Sequence, residues 1–376
     1  MTDTFDTIII GSGVIGLSAA HHLSKRGLKV LVLEKNFPGS GSTTRCIGGI
    51  RQQFSTEASI KLMQESMKQF QQMEEEFGFS VEFYQGGYLF LAYSQVNLDS
   101  FKTVARLQKS LGLDIRILSI QECLEIVPCL NPENLLGGVY SPDDGQAYPF
   151  KVIAGYIQEI RKTQSVIRSF IEVTEMIVEG ERIMGVILKG GEKIFGDTVI
   201  NAAGPWAGEV SQMAGVELPI FPEKHEALIT DRQERLFETM IVDYRPDGCY
   251  FQQLINGQII GCYTPIPNQP GTDTGSSKEF LIEMSKRTIR LIPELNRAKV
   301  LRHWGGSYSM TPDGSPIVDK TDIAGYYVAA GMSGHGFMFS PAIGKYISDI
   351  IIDNQYPFDW DEFKLKRNFS QSELMK

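Results

Sequence analysis

The stretch TIIIGSGVIGLSAAHHL, residues 7–23, joins an apolar run, a glycine-rich turn and an amphipathic segment. Residues 7–10 predict a short buried strand because they are β-branched and uncharged. Residues 14–26 predict a helix, with Gly27 where helices commonly stop. KVLVLE follows and predicts a second strand that ends at Glu34.

The turn between the first strand and the helix fits G-x-G-x-x-G, with Gly11, Gly13 and Gly16. Such a turn brings backbone N–H groups close to a pyrophosphate at a helix N-terminus. Glu34 lies 18 residues after Gly16, near the spacing of an acid that binds a ribose hydroxyl and repels a 2′-phosphate. A tight turn that binds nothing is the alternative. Strand, helix, second strand and acid together favour dinucleotide binding and disfavour NADP.

Length and composition limit the classes of protein to consider. A chain of 376 residues favours two domains. The net charge of −9, without a basic cluster, argues against nucleic-acid binding. No apolar run approaches the roughly 20 residues that span a bilayer, and residues 8–10 are too few for a signal-peptide core. We therefore expect a cytoplasmic protein without a membrane span.

The five cysteines form no CxxC pair, and Cys123 and Cys129 lie too far apart for a zinc knuckle. Cys249 and Cys262 flank a predicted hairpin that turns at an Asn-Gly pair. In the expected register Cys262 faces Phe251, so Cys249 is a diagonal neighbour about 7–8 Å away, too far for a relaxed disulfide. We expect five free thiols and no metal site.

Two later glycine turns distinguish FAD from NAD. NAAGPWA, residues 201–207, ends a buried strand with residues small enough for close backbone approach. GMSGHGFM, residues 331–338, precedes the last helix, for which Ser340 suits the N-cap and Pro341 the first helical position. The dipole of that helix could stabilise negative charge on a reduced flavin. A nicotinamide enzyme would not need a second ligand loop so far from the first.

Together, these motifs resemble the D-amino-acid oxidase (DAO) superfamily of FAD amine oxidoreductases, in the expected order and over essentially the whole chain. The resemblance is carried by GSGVIG with Glu34, GSGSTTRC (39–46), NAAGPWA (201–207), TPDGSPIV (311–318) and AAGMSGHGFMFSPAIG (329–344). A closer resemblance, to the β subunits of heteromeric L-proline dehydrogenase and then of sarcosine oxidase, is carried by STTRCIGGIRQQF (42–54), EKHEALIT (223–230) and SGHGFM (333–338).

The resemblance implies an α/β fold of two interleaved domains. A doubly wound FAD-binding domain of the Rossmann type would take residues 1–85, 140–215 and 308–376. A substrate domain with an antiparallel sheet that roofs the flavin would take residues 86–139 and 216–307. The cofactor-binding residues it implies are Gly11, Gly13, Val14, Ile15, Gly16, Glu34, Lys35, Ser42, Thr43, Arg45, Gly48, Gly49, Val173, Ala202, Ala203, Gly204, Trp206, Gly331, Gly334, His335, Gly336, Phe337 and Met338.

Two departures from the family pattern bear on the chemistry. Monomeric sarcosine oxidases attach FAD to a cysteine shortly before their equivalent of TPD, where this chain has Gly306. We therefore expect non-covalent FAD. Those oxidases also carry a lysine over the flavin that helps oxygen to react, whereas the corresponding segment here offers Ile259 and Ile260. This difference favours a dehydrogenase.

The catalytic candidates are Arg51, His225, Tyr250 and His335, with Tyr308 as a further candidate. Arg51 could bind a substrate carboxylate through two hydrogen bonds; the alternatives are that it binds a phosphate or forms a structural ion pair. His335 lies in the flavin loop and is expected to contact the flavin. His225 and Tyr250 lie on strands that either face the flavin or face away from it.

The leading functional hypothesis is dehydrogenation of an amino acid or secondary amine, such as L-proline or sarcosine, by hydride transfer to FAD. The resemblance implies a catalytic β-type subunit in a hetero-oligomer with a second flavin or electron-transfer subunit. In the sarcosine oxidase complex the second flavin is attached to a histidine, and the matching region here, SPDDGQAYPF (141–150), contains no histidine. Any FMN at the subunit interface would therefore be non-covalent. The alternatives are a self-sufficient oxidase that releases hydrogen peroxide and a flavin-binding assembly subunit without turnover.

Overall fold

The computed structural model describes residues 4–370 and 373–375. Its α-helices are α1 (Val14–Lys25), α2 (Glu57–Phe77), α3 (Gln95–Ser110), α4 (Ile120–Ile126), α5 (Pro149–Arg161), α6 (Ala207–Gln212), α7 (Lys278–Leu291) and α8 (Gly336–Asp353). Its strands are β1 (Phe5–Ile10), β2 (Val30–Glu34), β3 (Gly49–Ile50), β4 (Tyr88–Ala92), β5 (Arg116–Leu118), β6 (Gly137–Ser141), β7 (Gly145–Gln146), β8 (Val166–Ser169), β9 (Val173–Glu179), β10 (Arg182–Leu188), β11 (Lys193–Asn201), β12 (Phe221–Arg232), β13 (Met240–Asp243), β14 (Tyr250–Gln253), β15 (Gln258–Tyr263), β16 (Gln269–Pro270), β17 (Val300–Met310), β18 (Ile317–Lys320) and β19 (Tyr326–Ala330).

The first large sheet has a parallel centre. Its strand order is β18-β19-β11-β1-β2-β8, in which the pairs from β19 to β8 are parallel. Strands β9 and β10 extend from β11 as an antiparallel meander. The central strands β1 and β2 are buried almost throughout, which explains their continuous apolar sequence.

The second large sheet is mostly antiparallel. Its order is β16-β12-β15-β14-β13-β4-β6-β5, with β17 paired to β12, and its one parallel pair among the described residues is β13 with β4. The mixed α/β fold with one parallel-centred and one antiparallel sheet confirms the predicted fold class. The domain boundaries stay a prediction, and two of them, 139/140 and 307/308, fall inside β6 and β17.

The strand–turn–helix–strand unit at the start of the chain is confirmed. β1 leads into α1, and β2 pairs beside β1 in parallel. Gly11 has φ +105°, and a Cβ there would lie 2.5 Å from the Ala202 carbonyl oxygen. A Cβ at Gly16 would lie 2.0 Å from the Gly11 carbonyl oxygen. The glycines therefore let β1, α1 and the end of β11 approach closely.

The main core lies on the helical side of the first sheet. Helices α1 and α8 pack against each other, and α2 and α5 pack beside them. Met63 and Phe70 of α2 are buried, and Phe70 lies against Phe337 of α8 with ring centroids 5.7 Å apart. The methionines of α2 thus belong to the core. Truncating such a buried side chain to alanine costs about 2–5 kcal/mol.

The start of α8 differs from the prediction. The helix begins at Gly336, with His335 as N-cap, so Pro341 lies inside it. The nitrogen of Pro341 has no proton to donate to the carbonyl of Phe337, four residues earlier. The Ser340 hydroxyl donates to that carbonyl instead, at 2.9 Å. Ser340 therefore replaces a missing hydrogen bond within the helix and does not cap it.

The hairpin of β14 and β15 is present, but its register was predicted wrongly by one residue. Cys262 lies opposite Tyr250, and Phe251 lies opposite Gly261. All five cysteines are free thiols, as predicted. Within residues 4–370 and 373–375, no helix has the length and apolarity needed to cross a bilayer.

Candidate active site

A cavity of about 970 Å³ lies between the two large sheets. Its walls come from the β1–α1 turn, the loop of residues 40–51, the end of β11 and the β19–α8 loop on one side. Strands β12, β14, β15 and β17 form the other side. The cavity therefore has the position expected for a cofactor roofed by the second sheet.

Glu34 supports the β1–α1 turn from the end of β2. Its Oε2 accepts hydrogen bonds from the Ser12 amide at 2.9 Å and the Ser12 hydroxyl at 3.0 Å, and its Oε1 accepts from the Asn36 amide at 2.9 Å. A carboxylate offers about four lone-pair sites. One acceptor position is therefore left at a residue that lines the cavity, as a ribose hydroxyl would need.

Most of the predicted cofactor residues line this one cavity. Gly16 and Gly331 are the exceptions. Gly16 packs against the Gly11 carbonyl, and a Cβ at Gly331 would lie 2.5 Å from Thr311, so both serve close packing behind the wall. The residues that do line it are Gly11, Gly13, Val14, Ile15, Glu34, Lys35, Ser42, Thr43, Arg45, Gly48, Gly49, Val173, Ala202, Ala203, Gly204, Trp206, Gly334, His335, Gly336, Phe337 and Met338.

Two buried polar atoms on the cavity wall indicate that the site is built for a ligand. Arg45 Nε and His225 Nδ1 find no hydrogen-bond partner among the described residues. Buried donors and acceptors are nearly always paired in folded proteins. Arg45 lies against Gly306, where an added Cβ would be 3.1 Å from the Arg45 Cβ. The nucleotide-binding turn, the glycine cradle and these two atoms fit an FAD molecule.

Arg51 lies deep in the wall and is 3% exposed. Its Nη1 donates to the Gln53 carbonyl, and its Nη2 donates to the Met375 carbonyl and lies 3.1 Å from Nε2 of His335. The guanidinium also lies over the Phe54 ring, 4.2 Å from its centroid. These partners are two main-chain carbonyls, an imidazole and an aromatic face, none of which is an acid.

A second group of predicted residues faces the cavity from the antiparallel sheet. The hydroxyls of Tyr250 and Tyr308 lie 2.8 Å apart, and the His225 ring stacks on the Tyr308 ring with centroids 3.8 Å apart. Burial lowers the pKa of His225 to about 4 and raises the pKa of both tyrosines well above 10. At neutral pH this group is uncharged.

The two groups meet at the β19–α8 loop. Gly334 has φ +86°, and a Cβ there would lie 2.6 Å from the Tyr308 ring, while the next residue, His335, contacts Arg51. The structure thus brings Arg51, His225, Tyr250 and His335 to one cavity. A guanidinium lies on one side of it and a neutral tyrosine pair on the other.

Several residues of the cavity wall are absent from the residues predicted from the sequence. Tyr88 and Phe90 of β4 both line the cavity, and their spacing of two places them on the same face of the strand. Cys262 also lines it, directly opposite Tyr250. The alternation of side chains along a strand could have identified Tyr88 and Phe90. Cys262 was missed because the predicted hairpin register placed it opposite Phe251 instead of Tyr250. Met240, Val242, Tyr244 and Arg245 add to the same wall.

Comparison with known families agrees with this geometry. The family model described as "DAO: FAD dependent oxidoreductase" matches residues 6–350. The chain belongs to the DAO family of FAD-dependent oxidoreductases. The resemblance stated from the motifs is thereby confirmed, and FAD is the cofactor of this family.

Individual DAO proteins resemble the chain over nearly its whole length. Human mitochondrial dimethylglycine dehydrogenase is 29% identical over 387 residues, covering 97% of this chain and 44% of that protein. Sarcosine oxidase subunit beta of Rhizobium meliloti is 30% identical over 351 residues, covering 90% of this chain and 82% of that one. The crystal structure of L-proline dehydrogenase from P. horikoshii superposes with a TM-score of 0.92 at 34% identity, covering 97% of each chain. The chain spans less than half the length of the dimethylglycine dehydrogenases that it matches.

Proposed function

We propose that this DAO-family chain oxidises an amino acid or secondary amine whose carboxylate binds Arg51. The observation that carries the proposal is a buried cation on the cavity wall whose partners are neutral. Among the described residues no acid hydrogen-bonds to Arg51, and the buried acid Asp144 attracts it without a direct bond; a buried charge that no acid contacts directly is costly. A substrate carboxylate would provide a direct counter-charge within the cavity.

Binding a carboxylate requires that one hydrogen-bond partner of Arg51 be replaced. Both the Met375 carbonyl and His335 Nε2 are directed at Nη2. A hydrogen bond to a charged acceptor contributes about 1.5–3 kcal/mol, against about 0.5–1.5 kcal/mol for a neutral acceptor. The carboxylate therefore displaces the Met375 carbonyl, while the Gln53 carbonyl continues to hold Nη1.

The tyrosine pair receives the amine end of the substrate. Because the pKa values of Tyr250 and Tyr308 are raised, both hydroxyls stay protonated and offer neutral oxygens to a substrate N–H. His225 stays neutral and holds the Tyr308 ring by stacking. Phe90 and Met240 keep the cavity apolar around the substrate carbon.

FAD, held by the β1–α1 turn, Glu34, Arg45 and the β19–α8 loop, supplies the two-electron acceptor for this chemistry. Gly306 offers no atom for a covalent link, which supports non-covalent FAD. Dehydrogenase activity is proposed over oxidase activity because Ile259 and Ile260 occupy the segment in which the oxidases carry a lysine.

We propose L-proline and sarcosine as the leading substrates, and a hetero-oligomer with a second flavin or electron-transfer subunit as the working assembly. Similarity to proteins named L-proline dehydrogenase and sarcosine oxidase subunit beta supports this proposal. Any FMN at the subunit interface would be bound non-covalently near residues 141–150. The proposed location is the cytoplasm.

The test is to compare dye reduction with peroxide release. The FAD-loaded chain is mixed with L-proline, sarcosine, glycine or another amino acid in air, with and without an artificial electron acceptor. Dye reduction at least about tenfold faster than peroxide release supports the dehydrogenase. Equal rates would support the self-sufficient oxidase. FAD binding without turnover in either assay would support an assembly subunit.

A further inference from the structure

A buried carboxylate lies behind Arg51, outside the set of residues assigned above. Asp144, in the turn that precedes β7, has 0% of its surface exposed. Its Oδ1 accepts hydrogen bonds from the Gln52 amide at 2.9 Å and from Gln52 Nε2 at 3.4 Å. Its Oδ2 accepts from Gln53 Nε2 at 3.2 Å. Every one of these donors belongs to the two residues that follow Arg51.

Gln53 connects this carboxylate to the guanidinium. Its Nε2 donates both to Asp144 and to the Tyr88 carbonyl, the latter at 3.1 Å. Its own carbonyl accepts from Arg51 Nη1. Gln53 has no exposed surface, so its orientation depends on these bonds. The contacts therefore run from Asp144 through Gln53 to Nη1 of Arg51, whereas the Met375 carbonyl is bonded to Nη2.

We propose that Asp144 is a positioning residue that fixes the Arg51 guanidinium for carboxylate binding. The inference rests on the proposed function, in which Arg51 binds the substrate carboxylate. The Met375 carbonyl on Nη2 exchanges with substrate, whereas the Gln53 carbonyl on Nη1 is held in place by Asp144. Asp144 thus determines the orientation of the guanidinium when the substrate carboxylate replaces the Met375 carbonyl.

A carboxylate suits this position because it only accepts hydrogen bonds, and three donors converge on it. An asparagine would direct an N–H₂ group at one of these donors and leave a buried donor unsatisfied. Burial raises the pKa of Asp144 to about 7, and the hydrogen bonds from Gln52 and Gln53, together with the attraction of Arg51, oppose that rise. The acceptor-only carboxylate therefore predominates above about pH 7.

Asp144 also lies beside the β3–β7 pair, where Gly49 faces Gln146 and Ile50 faces Gly145. A role confined to holding these strands together would affect every ligand of the cavity equally. A positioning role for Arg51 affects ligands with a carboxylate far more than their neutral analogues. This difference separates the two roles.

The experiment measures calorimetric binding of pyrrole-2-carboxylate and pyrrole-2-carboxamide, which differ only in the acid group, to the FAD-loaded chain. We expect Asp144→Asn to weaken binding of the carboxylate about tenfold and to change binding of the amide less than about twofold, with FAD content unchanged. The control is Asp143→Asn, since Asp143 is its solvent-exposed neighbour. Equal weakening of both ligands, or no change in either, would overturn the positioning role.

Gln53→Leu serves as a second variant if Asp144→Asn does not fold. It removes the link to Asp144 while keeping the carbonyl, and we expect the same selective loss of carboxylate binding. In an Arg51→Met background, Asp144→Asn should cause no further loss, because residues that act through one contact are not additive. If the unaltered chain shows no preference for the carboxylate, the proposed function fails; if that preference survives in both variants, only the Asp144 inference fails.

Discussion

Nη2 of Arg51 lies 3.1 Å from Nε2 of His335, although the two residues come from opposite ends of the chain. Arg51 follows the short strand β3, and His335 is the N-cap of α8. Their contact joins the predicted substrate clamp to the predicted flavin loop. In the proposed function, this hydrogen bond would couple substrate binding at Arg51 to the flavin loop.

Arg51→Met is expected to raise KM for an amino-acid substrate about ten- to a hundredfold, because a charge-assisted pair contributes about 1.5–3 kcal/mol. FAD should stay bound, since the hydrogen bonds of Arg51 among the described residues go to Gln53, His335 and Met375 and not to the β1–α1 turn or Glu34. Steady-state kinetics and the flavin spectrum check both points. Arg116→Met, at an exposed surface arginine, is the control, and kinetics equal to those of the control would exclude Arg51 from binding.

In the proposed binding mode, residues 373–375 compete with the substrate carboxylate for Arg51. This segment is anchored by Glu373, which accepts from the Ser55 amide at 3.0 Å, and by the Tyr244 hydroxyl, which donates to Leu374. A variant that ends at Ser370 should show a KM about two- to tenfold lower, because the neutral Met375 carbonyl no longer occupies Nη2. Glu373→Ala should act in the same direction. A higher KM in both variants would show that the segment assists binding.

Glu76 gives a pH dependence of stability. A hydrogen bond with His21, 3.1 Å from Glu76 Oε1, lowers the Glu76 pKa from 4.5 to about 2 against the opposing effect of burial, and Lys25 adds to the lowering. Because the folded-state pKa is depressed, the stabilisation is present above pH 4.5 and is lost as the pH falls towards 2.

Glu76→Gln should therefore lower the free energy of unfolding at pH 7 by about 1 kcal/mol, since the pair is partly exposed and screened. The difference between the variant and the unaltered chain should shrink between pH 4.5 and 2. Urea unfolding at several pH values measures it. A difference that stays constant down to the lowest pH would contradict the assignment to Glu76 ionisation.

Acid precipitation tests how FAD is attached. With Gly306 against Arg45 and no cysteine at that position, all of the yellow colour should pass into the supernatant. Flavin retained in the washed pellet would show a covalent link elsewhere in the chain.

Local patterns in the sequence predicted the parts of the site that depend on neighbouring residues. The β1–α1 turn, its helix and Glu34 were predicted because close backbone approach and a ribose-binding acid need particular residues at fixed spacing. The predicted start of α8 was wrong because a serine followed by a proline is typical of a helix N-terminus. Here Ser340 lies inside the helix, and its hydroxyl donates to the Phe337 carbonyl. Cys262 was missed because a shift of one residue in a hairpin moves every side chain to the other face.

The surroundings of Arg51 could not be predicted from local patterns. Of its partners, Gln53 is close in sequence, but His335 and Met375 come from the far end of the chain and reach Arg51 only in the folded protein. Asp144 belongs to none of the motifs that carry the family resemblance, and its proposed role depends on three donors that converge on a buried turn. Long-range contacts of this kind are set by packing rather than by residue spacing.

Anaerobic mixing shows directly whether the chain oxidises an amino acid held by Arg51. The FAD-loaded chain is mixed without oxygen with L-proline, sarcosine and a panel of other amino acids, each beside its primary amide, and the flavin absorbance is followed. We expect at least one amino acid to bleach the flavin, its amide to do so far more slowly at the same concentration, and Arg51→Met to remove the difference. A flavin that no amino acid in the panel bleaches, or that acid and amide bleach equally, would contradict this expectation.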